Sequence, residues 1–403
     1  MNRRRYLATL GTAATVGVTG CSNSSHDPAA RDAGDATDWP MPGHDTANTR
    51  YIPDGTGPRD GVETAWRTDI GRPTAPPTVA GDTVFQPVGN DVFAIDATSG
   101  EVRWRADPEE NSAAYWSAPT VIDGVAYLAG DDRVRALGVD DGTEQWSREF
   151  EDPLGYVAPT PGFGGDELFV AAGETVYRLD SDAGDVEWSR RLFGSISQTM
   201  AYRPGILFAV SEGGDVYALL DSEGDGFWRT ALPNLSQCPP TYADGRLYVG
   251  CWDGKVYALS EQGVVEWSTD VGGFAKGGIG VAGETVYADG GRGLHAIDAE
   301  SGEKRWSVDV GTTGDHPPVI VGDTIYTGGE KLRALKPGGG IGVAGARIEP
   351  TRFTADLGAY VGPMSAADGS LYVTVEVKRD PNGGDHSDNL KTELLRLDAQ
   401  SSG

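Results

Sequence analysis

Apolar residues fall in short alternating runs along most of this chain, and each run stops at a turn rich in Asp and Gly. Ala118-Pro-Thr-Val-Ile, Val125-Ala-Tyr-Leu-Ala, Arg133-Val-Arg-Ala-Leu and Thr143-Glu-Gln-Trp-Ser form one such set. Runs of this length, with Val, Tyr and Thr at alternate positions, predict strands and not helices. Asp123-Gly124 lies between the first two runs and suits a type I′ hairpin, whose central residues both need positive φ. The set then recurs. Val92 to Gly100 leads to Trp104, Val134 to Gly142 to Trp146, Val176 to Gly184 to Trp188, Val216 to Gly224 to Trp228, Val256 to Gly263 to Trp267, and Leu294 to Gly302 to Trp306. The steps between these tryptophans are 42, 42, 40, 39 and 39 residues, and Trp66 stands 38 before Trp104. A seventh copy, Leu332-Arg-Ala-Leu, reaches position 344, where alanine replaces tryptophan; an eighth, Leu394-Leu-Arg-Leu-Asp-Ala, runs out at Gly403.

Four antiparallel strands per repeat of this length predict an all-β, eight-bladed β-propeller. A solenoid is the alternative, but the ends argue for a ring. Glu63 to Thr68 supplies a fourth strand with none before it, and the C-terminal piece supplies three strands with no fourth. Pairing them completes blade eight and removes the exposed sheet edges of an open array. The tryptophans fall on the outermost strand, where they can wedge between blades, and the small Ala94 leaves room for a ring. Trp66, Trp104, Trp146, Trp188, Trp228, Trp267 and Trp306 are therefore read as packing residues without a catalytic role.

Composition agrees and adds three points. Gly occurs 58 times and Pro 24 times in 403 residues, as many tight turns require. The net charge of −27 excludes nucleic acid as a partner, because a phosphate backbone needs basic neutralisation. The 33 basic residues comprise 26 arginines and only 7 lysines. Such acidity resembles that of proteins from salt-loving archaea, where a screening length of about 3 Å at molar salt quenches carboxylate repulsion. The N-terminus reads as an address. Met1-Asn-Arg-Arg-Arg-Tyr-Leu7, a mild apolar run to Gly20 and then Cys21 resemble a twin-arginine lipoprotein signal. The expected organisation is a signal over 1–20, a flexible tether over 21–38, a lead-in over 39–62 and the propeller over 63–403. Lipid on Cys21 would anchor the exported chain to the outer face of the cytoplasmic membrane.

The pattern Ala-x-Asp-x-x-(Thr/Ser)-Gly-x-x-x-Trp, clearest in Ala94 to Trp104 and Ala296 to Trp306, resembles the PQQ-repeat of eight-bladed propellers. The lead-in Trp39-Pro-Met-Pro-Gly-His-Asp-Thr-Ala-Asn-Thr-Arg50 is similar to the segment that precedes the ring in such proteins. That family holds quinoprotein dehydrogenases and the outer-membrane assembly lipoprotein of the BamB type. A lipidated single ring is closer to the second. The resemblance implies a non-enzymatic scaffold or ligand-binding module, with an extracytoplasmic protein or a small anionic or planar molecule as partner and no cofactor. The dehydrogenase alternative implies adjacent cysteines, a calcium site and an aspartate base. Cys21, Cys238 and Cys251 are not adjacent, no Asp-x-Asp loop appears, and the histidines lack metal-ligand spacing.

Four further expectations concern particular residues. The starts of the inner strands should gather Arg72, Tyr115, Trp116, Tyr156, Phe274, Lys276, His316 and Tyr360 around one mouth of the central funnel. Aromatic faces there suit a planar ligand and the basic groups an anion, unless the rings only plug the funnel. Cys238 and Cys251 flank a hairpin turning at Asp244-Gly245; an unbulged register would oppose them at a non-hydrogen-bonded site, with Cα atoms about 4.5 Å apart, and so allow a disulfide. Two free buried thiols are the alternative. Ala346 to Gly358 and Lys378 to Asn389 read as insertions in loops. Arg190 to Ile196 resembles, in location only, the partner-binding loops of the assembly lipoprotein.

Overall fold

The computed structural model describes residues 37–106, 114–130, 132–274, 276–311, 316–338, 342–343, 346–347, 350–378 and 390–401. The signal, Cys21, the tether to residue 36, Ala344 and residues 379–389 lie outside these described residues. Among the described residues there is no helix, and so none long and apolar enough to cross a membrane.

Eight blades of four antiparallel strands form the expected propeller, and in blade 7 the short lead-in strand Tyr51–Ile52 adds a fifth, parallel to Val319–Val321. Blade 1 runs from Thr78–Ala80 to Val102–Ala106, blade 2 from Thr120–Ile122 to Glu144–Glu149, and blade 3 from Thr160–Pro161 to Val186–Arg191. Blades 4, 5 and 6 begin at Ala201–Arg203, Thr241–Ala243 and Gly280–Ala282, and blade 7 at Val319–Val321. Blade 8 joins Tyr360–Ala367, Ser370–Lys378 and Leu390–Ala399 to the early strand Val62–Asp69, so the two ends of the chain close the ring. The inner hairpins turn as their Asp-Gly pairs require: φ is +46° and +80° at Asp123 and Gly124, and +47° and +81° at Asp244 and Gly245.

The tryptophan joins each blade to the next. Within their own blades Trp104, Trp146, Trp228, Trp267 and Trp306 lie opposite a small alanine of the third strand, as Trp104 lies opposite Ala94, whereas Trp66 and Trp188 lie opposite Arg396 and Arg178. From Trp66 to Trp267 the ring covers the glycine of the following blade, and each indole N–H, that of Trp306 included, donates to a carbonyl there. Trp66 donates to Ala97 O at 3.0 Å, Trp146 to Ser181 O at 2.8 Å and Trp267 to Ala299 O at 3.1 Å. The glycine is obligatory twice over. Gly184 has φ +69°, and a Cβ there would stand 2.5 Å from the Trp146 ring.

Blade 7 departs from the expected register. Its fourth strand is Thr351–Ala355, and Phe353, opposite Ala334, takes the tryptophan position. The extra sequence lies before that strand, where Gly342–Val343 pairs with Ala346–Arg347 as a small separate hairpin. Position 344 is therefore not the motif position, and residues 351–355 are not an insertion.

The expected disulfide is also corrected, because both thiols are free and buried. The register is the expected one at Thr241↔Tyr248, but the inner strand begins at Thr241. Pro239 and Pro240 precede it and have no N–H to extend the ladder. Cys238 packs with Val271 and Ile279 towards blade 6, whereas Cys251 packs with Val210 and Leu232 towards blade 4.

The lead-in is part of the fold. It crosses the channel and takes up the inner-strand N–H groups that face it. Val79 donates to Trp39 O, Val121 to Pro40 O, Tyr202 to Thr46 O, Tyr242 to Ala47 O, Val281 to Thr49 O and Ile320 to Arg50 O, at 2.6–3.0 Å. Blade 3 has Pro161 at this position and needs no acceptor. Asn48 adds two side-chain bonds, from Nδ2 to Met200 O at 3.0 Å and to Pro240 O at 2.9 Å.

Candidate functional site

Inner strands start at one face of the ring, and the lead-in closes the channel from the other. Between them lies an axial cavity of about 400 Å³, with Pro42 and Arg50 of the lead-in among its lining residues. Of the residues expected at the mouth, Trp116, Tyr156, Lys276, His316 and Tyr360 line this cavity, together with Gln198. Trp116 and Tyr156 meet edge to face with centroids 6.0 Å apart, and His316 and Tyr360 lie 6.3 Å apart. Phe274 pairs with Trp252 at 5.0 Å beside the mouth, and Lys276 Nζ sits over both rings at 5.2 and 5.8 Å.

Two expected residues lie elsewhere. Tyr115 is buried between blades 1 and 2, where its hydroxyl accepts a hydrogen bond from Arg135 Nη1 at 3.0 Å. Its neighbour Trp116 takes the cavity side, as alternation requires. Arg72 is exposed and does not line the cavity, although Pro73 and Thr74 do.

Sequence reasoning missed Arg50. The residue is 6% exposed; Nη1 donates to Pro42 O at 3.1 Å, Nη2 to Gly277 O at 3.3 Å, and the buried Nε has no acceptor. Burial pulls its pKa down to about 10, against the opposing pull of Cys238, Asp45 and Asp289. An isolated arginine in an irregular segment has no period that would have marked it.

A second concavity, of about 750 Å³, lies between blades 3 and 4 and includes Arg190, Phe193, Tyr217, Trp228 and Arg229. The Tyr217 hydroxyl donates to Phe193 O at 2.9 Å and accepts from Phe193 N at 3.1 Å. This fixes the Phe193 backbone while its side chain stays exposed (76%). The next two loops on this face carry exposed Leu235 and Phe274. Isolated exposed apolar residues need no explanation, but three on successive loops around one mouth form a surface that a partner can use.

Comparison with known proteins places this geometry. The family model described as "Outer membrane protein assembly factor BamB" matches residues 56–194, 130–231 and 212–376. BamB from Moraxella catarrhalis has the same fold, with a TM-score of 0.65 and 15% identity over 85% of this chain and 99% of that one. The quinohemoprotein alcohol dehydrogenase from Comamonas testosteroni superposes with a TM-score of 0.71 at 14% identity, over 92% of this chain and 82% of that one. A relative from Paracoccus denitrificans, named for dehydrogenase XoxF, is 32% identical over 136 residues, which is 29% of this chain and 23% of the relative. The match thus spans about a quarter of the relative's length.

The expectation of a chain without enzymatic activity is corrected by these matches, since they include a dehydrogenase sequence relative and a dehydrogenase of the same fold. The residues do not, however, fit the metal-assisted quinone centre that the repeat resemblance implies. Among the described residues no three His, Cys, Asp or Glu side chains converge to hold a metal ion, and the two described cysteines face opposite sides of blade 5. With the repeat, the ring and the lead-in all accounted for, this chain belongs to the family of outer membrane protein assembly factor BamB.

Proposed function

We propose that this chain is an exported propeller, held through lipid on Cys21 at the outer face of the cytoplasmic membrane, that docks a protein partner on the mouth-side face of blades 3 to 5. The observation that carries the reading is Phe193, whose backbone is clamped to Tyr217 while its ring is left to solvent. A rigid, exposed aromatic costs little ordering entropy on binding and suits an anchor position. Arg229, paired with Asp215, lies 5.6 Å from the centroids of both Phe193 and Tyr217 and helps hold the aromatic pair in place. The family's description as an assembly factor supports a protein partner.

A photo-crosslinking residue at position 193 in intact cells tests this, with Phe163, also exposed (60%) but on the opposite face, as control. An adduct of defined mass at 193 and none at 163 is expected, and Cys21→Ser should release the chain into the medium. No adduct at 193, or the same products at both positions, would refute the docking face. A second reading, a quinone-linked dehydrogenase, is supported by the XoxF match. Substrate-dependent dye reduction by the purified chain would favour it.

A further inference from the structure

In blade 4 a third-strand residue, Tyr217, fastens the loop that leaves blade 3 through its two hydrogen bonds to Phe193. The same position in blade 6, one residue before the alanine that faces the tryptophan, holds His295. Of these two side chains only the imidazole changes charge near neutral pH.

His295 is 9% exposed; Nδ1 lies 2.7 Å from Ser307 Oγ on the outer strand of its own blade, and Nε2 is buried with no hydrogen bond. A Cβ on Gly293 would come within 3.2 Å of that nitrogen. The loop that leaves blade 5 packs backbone to backbone on this corner of blade 6. A Cβ on Gly290 would collide with Val271 O and one on Gly273 with Gly291 N, so only glycine allows the approach. Asp270 holds the start of the loop by accepting from Gly272 N at 2.7 Å. The loop leads to Phe274, whose ring lies 5.0 Å from that of Trp252, with Lys276 Nζ over both.

The surroundings disfavour a second proton on the ring. Burial pulls the pKa of His295 below its ordinary value and Lys304, on the outer strand of blade 6, adds to this, against the carbonyls of Val271 and Gly290 and against Asp270 of blade 5. Asp309, two residues beyond Ser307, lies 3.7 Å from Arg292. Asp289, on the second strand, stands opposite Leu294 and not His295.

We propose that His295 is an acid-sensitive latch for the loop from Val271 to Phe274. While neutral, its ring fills the joint between blades 5 and 6, and the loop rests on the Gly290–Gly291 turn. Once protonated, the ring carries a charge that the joint does not solvate; it moves to water, the loop lifts, and Phe274 leaves Trp252. A depressed folded pKa stabilises the closed loop fully above the ordinary value of about 6.5. Below it the ratio of open to closed loop should rise about tenfold per pH unit, levelling off at the folded value. The loop borders the proposed docking face, but the latch stands whether or not a partner binds there.

A trifluoromethyl-phenylalanine at position 274 of the full chain, followed by fluorine NMR in constant molar KCl from about pH 8 to about pH 4, tests it. The signal should shift as the pH falls below about 6.5. The shift should be lost in His295→Phe, which uses the residue type found at Phe93 in blade 1, and in His295→Tyr, which uses that of Tyr217. The same label at position 193, whose loop is fastened by a tyrosine, should stay in place. Carboxylates that titrate in this range are common to wild type and variants, so the difference belongs to His295. A wild-type signal that does not move, equal movement in either variant, or a step at 193 coincident with that at 274, as global unfolding would give, would overturn the latch.

Discussion

The clasp between tryptophan and glycine can be tested at one position with its cost worked out beforehand. Gly184→Ala places a methyl group 2.5 Å from Trp146 Cε3 and 2.8 Å from Cδ2 and Cζ3. The ring cannot swing away freely, because Nε1 donates to Ser181 O at 2.8 Å and Tyr127 packs at 5.9 Å. Alanine at φ +69° costs about 1–2 kcal/mol in the backbone. Overpacking adds about 1–3 kcal/mol, and the strained or lost indole hydrogen bond about 1 kcal/mol. The substitution should therefore destabilise by about 3–6 kcal/mol. Gly245→Ala isolates the backbone contribution, since φ there is +81° and a Cβ would meet nothing within 4 Å. It should cost about 1–2 kcal/mol. Urea unfolding followed by tryptophan fluorescence measures both. In a Trp146→Leu background the Gly184→Ala cost should fall to nearly that of the control, because the collision is gone. Equal destabilisation by the two glycine variants, or no relief in the leucine background, would refute the clasp as the joint between blades.

Salt and thiols give two more tests. Removal of residues 1–20 takes away three arginines and no carboxylate, leaving −30, so the melting temperature should fall as KCl is lowered from molar to about 0.1 M, where the screening length grows to about 10 Å; an unchanged value would remove the halophilic reading. Thiol titration of denatured, unreduced protein should find Cys238 and Cys251 both free. In the native state at pH 8 Cys238 should not react, because burial raises its pKa to about 12 and the thiol stays protonated; a count of zero in the denatured chain would restore the disulfide.

The ring was legible in the sequence because its building unit is local. Strands, Asp-Gly turns and the Asp-x-x-(Thr/Ser)-Gly-x-x-x-Trp register all act within one repeat or between neighbours, and each leaves a residue at a fixed step. Errors arose where a long insertion or an irregular segment intervened. In blade 7 a hairpin displaced the outer strand, and Phe353 replaced the residue used for alignment. At Cys238 the hairpin register was right, but the ladder ended at Thr241, short of two prolines. Tyr115 and Trp116 are adjacent, and only the packed structure tells which one faces the cavity.

Arg50 exposes a deeper reason for the limit. The lead-in from Trp39 to Ile52 follows no period of two or of 3.6, since its backbone pairs in turn with blades 1, 2, 4, 5, 6 and 7. Its partners lie up to 270 residues away: the carbonyl of Arg50 accepts from Ile320 N. Those pairings need no particular side chain, because they use the lead-in's own carbonyls, so most of its side chains are left free to vary. Asn48, which bonds the carbonyls of Met200 and Pro240, Thr46, which bonds that of Tyr202, and Arg50, which bonds that of Gly277, are exceptions. A segment whose position is fixed by its backbone can change the floor of the cavity without disturbing the ring. The repeats, by contrast, must spend their conspicuous residues on packing: the tryptophans from Trp66 to Trp267 lie against glycines, and Asp96 caps a turn by accepting from Thr98 N and Ser99 N. Side chains that are free to vary therefore collect where the repeat does not dictate them, and in this chain Arg50 of the lead-in, and not a tryptophan or aspartate of the motif, lines the axial cavity.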